Sequence, residues 1–239
     1  MSNSKVSSNI CIFTATKRSD CQFPLTKTAI EHNVDEFLHT TFNNRRGLAK
    51  VYNECLDLAI KEKFDYIMFI HDDVHLEHDP RPKLEKLFQQ YDIVGVAGCS
   101  KAEIKSPALW HLMGGGFYNG YTPCYLHGAV GHIHKVEPEI GMIYEEKRIT
   151  NFGYYPHRVV MIDGVFMAFN RKAIETVRFD EDCPSKFHFY DLCMCASALE
   201  KGLKIGVGDV MITHESPGLR EFTEDWKAGE KFYLEKYGK

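Results

Sequence analysis

No apolar run in this 239-residue chain is long enough to span a bilayer, so no transmembrane helix is expected. The opening residues, MSNSKVSSN, lack the apolar centre of a secretory signal. Residues 1–8 are therefore expected as a disordered tail, and the protein is expected to be cytoplasmic. A basic excess is also missing. The 29 Lys and Arg against 33 Asp and Glu leave a net charge of -4, which gives no footing for a nucleic-acid partner. None of the eight cysteines forms a CxxC pair, and Cys11, Cys55 and Cys99 lie within apolar runs. They read as free, mostly buried thiols in a reducing compartment, not as a zinc site. There is no glycine between Thr16 and Phe23, so the phosphate loop that a sugar nucleotidyltransferase carries ahead of a Pro24-Leu25-Thr26 segment is absent. Internal repeats and low-complexity segments are absent too.

What is present centres on FDYIMFIHDDVHL, Phe64 to Leu76. Tyr66 to Ile70 is β-branched and aromatic without a break, the pattern of a strand buried on both faces. It ends at His71-Asp72-Asp73. In open α/β sheets ligands bind beyond the carboxyl ends of the strands. Two adjacent carboxylates there repel each other unless a cation lies between them. The same residues are also good turn formers, so the pair alone leaves a solvated loop open.

Around this stretch, strands and helices alternate. NICIFTA, Asn9 to Ala15, reads as a strand, Pro24 to Asn33 as a helix and Val34 to Thr41 as a short strand. Leu48 to Lys61 has helical spacing, with Leu48, Val51, Cys55, Leu58 and Ala59 on one face. A helix from Pro80 to Gln90 and a strand from Asp92 to Ala97 follow. This alternation predicts a doubly wound α/β fold with a mostly parallel central sheet flanked by helices. With 44% hydrophobic residues, the chain suits one domain spanning residues 1–239. Residues 99–158 break the rhythm. They are expected as a loop-rich antiparallel insertion with strands near 129–136 and 142–151, the kind of segment that serves as a lid or binding loop. Beyond it, core strand is expected over 159–169. Helices are expected over 173–177, 187–201 and 220–237, with one or two strands over 204–213.

Three blocks in order carry a resemblance: YNECLDLAIKEKFDYIMFIHDDVHL, MIDGVFMAFNRKAI, and RFDEDCPSKFHFYDLCMCASALEKGLKIGVGDVMITHESPG. Together they resemble nucleotide-sugar glycosyltransferases of the GT-A fold, in the family 2-like group that includes StrF-type proteins. The resemblance implies a transferase of the hexosyltransferase type. It would move a sugar from a nucleotide-sugar donor, a UDP-sugar, to an acceptor hydroxyl on a saccharide or glycan. Mn²⁺ (or Mg²⁺) would be the cofactor, and inversion at the anomeric carbon the outcome.

Residue by residue, the resemblance implies Asp73 as a metal ligand, in the second-carboxylate place of the family's Asp-x-Asp. His71 stands where that motif has its first Asp, and whether it touches the metal, the donor ribose or neither stays open. His214, after VMIT, falls where such enzymes complete the metal site. Asp72, Thr14, Thr16 and Lys17 fall beside the nucleotide, and Asp163 and Gly164 under the transferred sugar. Asp191 corresponds to the kept carboxylate of Glu-Asp-x-Asp, whose later Asp is Cys193 here, and is implied as the general base. At a helix N-terminus it would be ionised at neutral pH; an N-cap is its structural alternative. Arg45, Arg46 and Lys50 offer charge for phosphate or a solvated face. Trp110, Tyr118, Tyr121 and Tyr125 offer flat faces for an acceptor sugar or a small core of their own. Two rivals come from the residues themselves. His71 and His75 have the HxxxH spacing of a zinc hydrolase, but on a strand they would lie ~13 Å apart, too far for one metal. A non-catalytic carbohydrate-binding or scaffold protein is the other.

Overall fold

The computed structural model describes residues 9–101, 107–113, 125–136, 144–216 and 221–238. The expected first strand is β1 (Ile10–Ala15), followed by α1 (Pro24–Glu31), which Pro24 opens without losing a needed N–H. A turn of 3₁₀ helix, Asp35–Phe37, takes the first half of the expected second strand and leaves β2 as Leu38–Thr41. Next come α2 (Leu48–Lys61), β3 (Tyr66–Ile70), β4 (Val74–Leu76) and α3 (Arg81–Leu87). The single strand expected over 92–97 is two: β5 (Ile93–Gly95) and β6 (Ala97–Cys99). The short α4 (Trp110–Met113) precedes the long pair β7 (Leu126–Val136) and β8 (Tyr144–Gly153). The return to the core is divided among β9 (His157–Val159), β10 (Met161–Ile162) and β11 (Phe166–Asn170). Then come α5 (Arg171–Thr176), α6 (Tyr190–Glu200), β12 (Ile205–Val207), β13 (Ile212–His214) and α7 (Glu224–Tyr237). Among the described residues no helix is long and apolar enough to cross a membrane.

The main sheet has the order β2-β1-β3-β11-β5-β12-β9. The pairings run β2, β1, β3, β5 and β12 in one direction, with β11 and β9 reversed. The doubly wound, mostly parallel expectation therefore holds. Its two faces follow the two-residue period of the strands. Ile10, Ile12, Met68 and Ile70 pack with Leu25, Ala29 and Leu84 from α1 and α3. Cys11, Phe13, Ile67 and Phe69 pack with Val51, Tyr52 and Cys55 of α2 and Met194 and Ala198 of α6. The expected face of α2 was incomplete: Tyr52 and Leu56 are buried, and Leu58 is only half-buried.

A second sheet, β10-β6-β7-β13-β4 with β8 on β7, was expected only as an antiparallel insertion. Four of its strands come from the core blocks instead. The chain passes between the two sheets several times, and two of these crossings are His71–Asp73, between β3 and β4, and Asp163–Val165, between β10 and β11. Those two crossings are joined by a hydrogen bond from His71 N to the Val165 carbonyl, 3.1 Å.

Candidate active site

The buried strand β3 delivers His71, Asp72 and Asp73 to the seam between the sheets. On the other side of the seam, β13 pairs antiparallel with β4, setting His214 opposite Val74. The Glu215 N–H donates to the Asp73 carbonyl at 2.9 Å and fixes this corner. As a result one ligand atom from each of His71, Asp73 and His214 lies within 4.8 Å of the others. His214 Nε2 is 3.2 Å from Asp73 Oδ1, an ion-pair distance without hydrogen-bond alignment. That buried oxygen has no hydrogen-bond partner. Buried polar atoms are almost always paired, so an orphan here fits a site built for a cation.

Two of the three groups, His71 and Asp73, carry the protonation state that a cation needs, and for His214 a proton competes. Burial holds the His71 imidazole below its ordinary value against the pull of Asp73, so the ring is neutral and has a lone pair to give. Burial also opposes charge on His214 and Asp73. For both, their mutual attraction outweighs it: Asp73, then Asp163 and Asp72, hold His214 above its ordinary value, and His214 and His71 hold Asp73 below its own.

Asp72 accepts from the Thr16 hydroxyl at 2.5 Å, and Thr16 Oγ1 in turn accepts from Arg18 N at 3.1 Å. Thr14 is fully buried in β1 with its hydroxyl unpartnered. Lys17 is exposed, with its ammonium 4.3 Å above the Phe187 ring.

Asp191 sits one residue inside α6. The N-cap is Phe189, held in the left-handed region at φ 64°, so the capping alternative for Asp191 does not hold. Asp191 Oδ2 accepts from Gly164 N and Oδ1 from Leu192 N, both at 2.9 Å. Asp163 makes its own turn by accepting from Val165 N at 2.9 Å. Asp191 is harder to ionise than its place at a helix N-terminus alone implies. Burial, and then the Asp163 charge, push its carboxyl up to about 7, outweighing the two N–H donors. The place over Gly164 is taken by the Tyr190 phenol, which any Cβ there would strike, so this glycine is required by a side chain of the protein itself. Tyr190 also meets His71: its hydroxyl lies 2.7 Å from His71 Nε2. Tyr190 lies in the third block, and nothing in the sequence around it announces this contact.

Other candidates do not gather here. Trp110 is 4% exposed and packs on Phe152, so it offers no open face to a sugar. Tyr125 is half-buried beneath Lys101. Tyr118 and Tyr121 lie outside the described residues, as does the tail 1–8. Arg46 pairs with Glu54 at 2.6 Å. His75 binds Glu215 at 2.6 Å and is absent from the three-residue cluster, which removes the HxxxH reading. His132 was missed. It stands in register with His214 on the neighbouring strand β7, ring centroids 6.4 Å apart.

A family model described as "Glycosyltransferase like family" matches residues 27–237. The streptomycin biosynthesis protein StrF of Streptomyces griseus is 24% identical over 195 residues, covering 80% of this chain and 60% of that protein. The chain thus spans less than two thirds of the length of this curated relative. Among solved structures, GalNAc-T7 with UDP, GalNAc and Mn²⁺ aligns at TM-score 0.49 and 12% identity, over 96% of this chain and 48% of that one. S. aureus TarS in complex with UDP aligns at 0.43 and 11%, over 87% and 60%. Likeness at that level fixes neither ligand nor chemistry.

Proposed function

The chain belongs to the glycosyltransferase-like family, and on that premise we propose that it transfers a sugar from a UDP-sugar to an acceptor hydroxyl, using Mn²⁺ and inverting the anomeric centre. The observation that carries this reading is the His71, Asp73, His214 donor set around a buried, unpartnered Asp73 oxygen. Two imidazoles and one carboxylate suit Mn²⁺ better than Mg²⁺, which prefers an all-oxygen shell. When bound, the cation neutralises the charge that develops on the departing nucleoside diphosphate.

In this reading the remaining residues divide by place. Asp72, Thr16 and Lys17 lie on the nucleoside side, with Thr14 buried in β1, and Asp163 borders the transferred sugar at the turn whose Gly164 makes room for Tyr190. Asp191 takes the proton of the acceptor hydroxyl. The hydroxyl oxygen then bonds to the anomeric carbon as that carbon's bond to the diphosphate breaks, with the bonding pair leaving on UDP. Attack and departure on opposite faces invert the centre. A carboxyl near pH 7 is a good match for that proton transfer, since a general base works best with a pKa near the operating pH. Residues 1–239 act as one domain, with 99–158 bordering a saccharide or glycan acceptor.

Calorimetric titration of UDP into the protein, in Mn²⁺ and in EDTA, tests the reading. Wild type is expected to bind at least about tenfold tighter in Mn²⁺, and Asp73→Asn to lose that difference. Equal affinity with and without the ion in wild type would remove the metal from the reading. Metal-dependent binding without sugar transfer to any hydroxyl or water would favour a binding protein.

A further inference from the structure

We propose that Tyr190 is the positioning residue of the cation site: its phenolic oxygen engages His71 Nε2 and so leaves Nδ1 of that ring as the nitrogen for the cation. This rests on the metal-dependent reading above. The two groups are 2.7 Å apart. A neutral imidazole has one N–H and one lone pair, and the bond made by one nitrogen decides what the other offers. Metal-bound histidines almost always give their second N–H to a fixed acceptor, which sets both tautomer and ring angle. Tyr190 is placed to be that acceptor.

It is also well held. Tyr190 is 4% exposed, with its ring edge-on to Tyr52 at 5.6 Å and against Phe179 at 6.3 Å. On its other side is Gly164, whose missing Cβ provides the room for the phenol. The next residue, Asp191, grips that same glycine through its N–H. His71 grips the following residue, Val165, through the backbone. The Tyr190 phenol, the Asp191 carboxylate and the His71 backbone N–H thus close a ring of contacts around the turn Asp163–Val165. For packing alone a phenylalanine would serve, since burying a hydroxyl is unfavourable unless it is paired. The pairing is with His71.

The test is Tyr190→Phe, which keeps the ring and removes the oxygen. Free Mn²⁺ is followed by electron paramagnetic resonance while the ion is titrated into wild type, Tyr190→Phe and Asp73→Asn. Tyr190→Phe is expected to bind about 10–100-fold more weakly than wild type. In parallel, ¹⁵N spectra of the wild-type protein with Cd²⁺ as a diamagnetic probe should show the proton of His71 on Nε2 and the metal shift on Nδ1. Wild-type Mn²⁺ affinity in Tyr190→Phe, with binding lost in Asp73→Asn, would overturn the role of Tyr190 and leave the metal site standing. Cd²⁺ on Nε2 would overturn it without recourse to the variant. No Mn²⁺ binding by wild type would remove the metal reading, and this inference with it.

Discussion

Asp73 Oδ1 lies 3.2 Å from His214 Nε2 and yet takes part in no hydrogen bond. An isolated structural ion pair would gain by aligning, because an unaligned buried acceptor keeps most of its desolvation cost. Asp73 lies in the turn just before β4 and His214 ends β13, and the bond from Glu215 N to the Asp73 carbonyl holds the two backbones side by side.

That geometry makes a proton and a cation competitors for His214. Burial opposes its charge, but Asp73, Asp163 and Asp72 together hold it above the ordinary 6.5. A protonated imidazole has no lone pair for a metal. Asp73 is held low and stays ionised throughout, so it does not contribute to this limb. Mn²⁺ affinity is therefore expected to fall as pH drops through a value above 6.5, by about tenfold per pH unit once His214 is protonated. Titrations between pH 5.5 and 8.5 would show it, and a flat profile would refute it. His214→Ala should weaken Mn²⁺ binding at least about tenfold and abolish the acid limb, with the fold retained.

Gly164 supplies a test of the packing around the site. A Cβ at this position would strike the Tyr190 phenol, and that ring is enclosed by Tyr52 and Phe179. Gly164→Ala is expected to destabilise the protein by about 1–3 kcal/mol, the usual range for overpacking a filled core. Denaturant unfolding measures it. Wild-type stability would mean that Tyr190 moves aside freely, which its burial argues against.

The parts of this site that were legible in sequence are those with local signatures. The run Tyr66–Ile70 ended by His71-Asp72-Asp73 is a buried strand that surfaces in charge, and VMITH announces His214 in the same way. The second sheet left no comparable trace. Strands β4, β6, β10 and β13 are two or three residues long, too short for an alternation to declare itself, and β5 and β6 merge into one apolar run. Tyr190 meets His71 across 119 positions, so no spacing rule points to it. The raised Asp191 carboxyl is hidden from the sequence for a related reason. A helix N-terminus is visible in sequence, whereas burial and the approach of Asp163 are products of the fold.

The raised Asp191 carboxyl gives the sharpest kinetic expectation. Burial first, and then Asp163, push it up to about 7, against two backbone N–H groups that favour the anion. A general base acts only when deprotonated, so transfer should rise with pH through this value and level off above it. A bound cation nearby would favour the anion, so the limb measured for kcat with Mn²⁺ present should lie at or below about 7 and not above it. Asp191→Asn keeps the size of the side chain and an oxygen for Gly164 N, but removes the base. Transfer should fall by about 10²–10⁴-fold, with UDP and Mn²⁺ affinity near wild type. Loss of affinity together with rate would show that Asp191 serves the fold or the cation instead. Unchanged transfer would pass the role of base to Asp163, whose carboxylate borders the same turn. Glu215 is the weaker alternative, because it is already bound to His75.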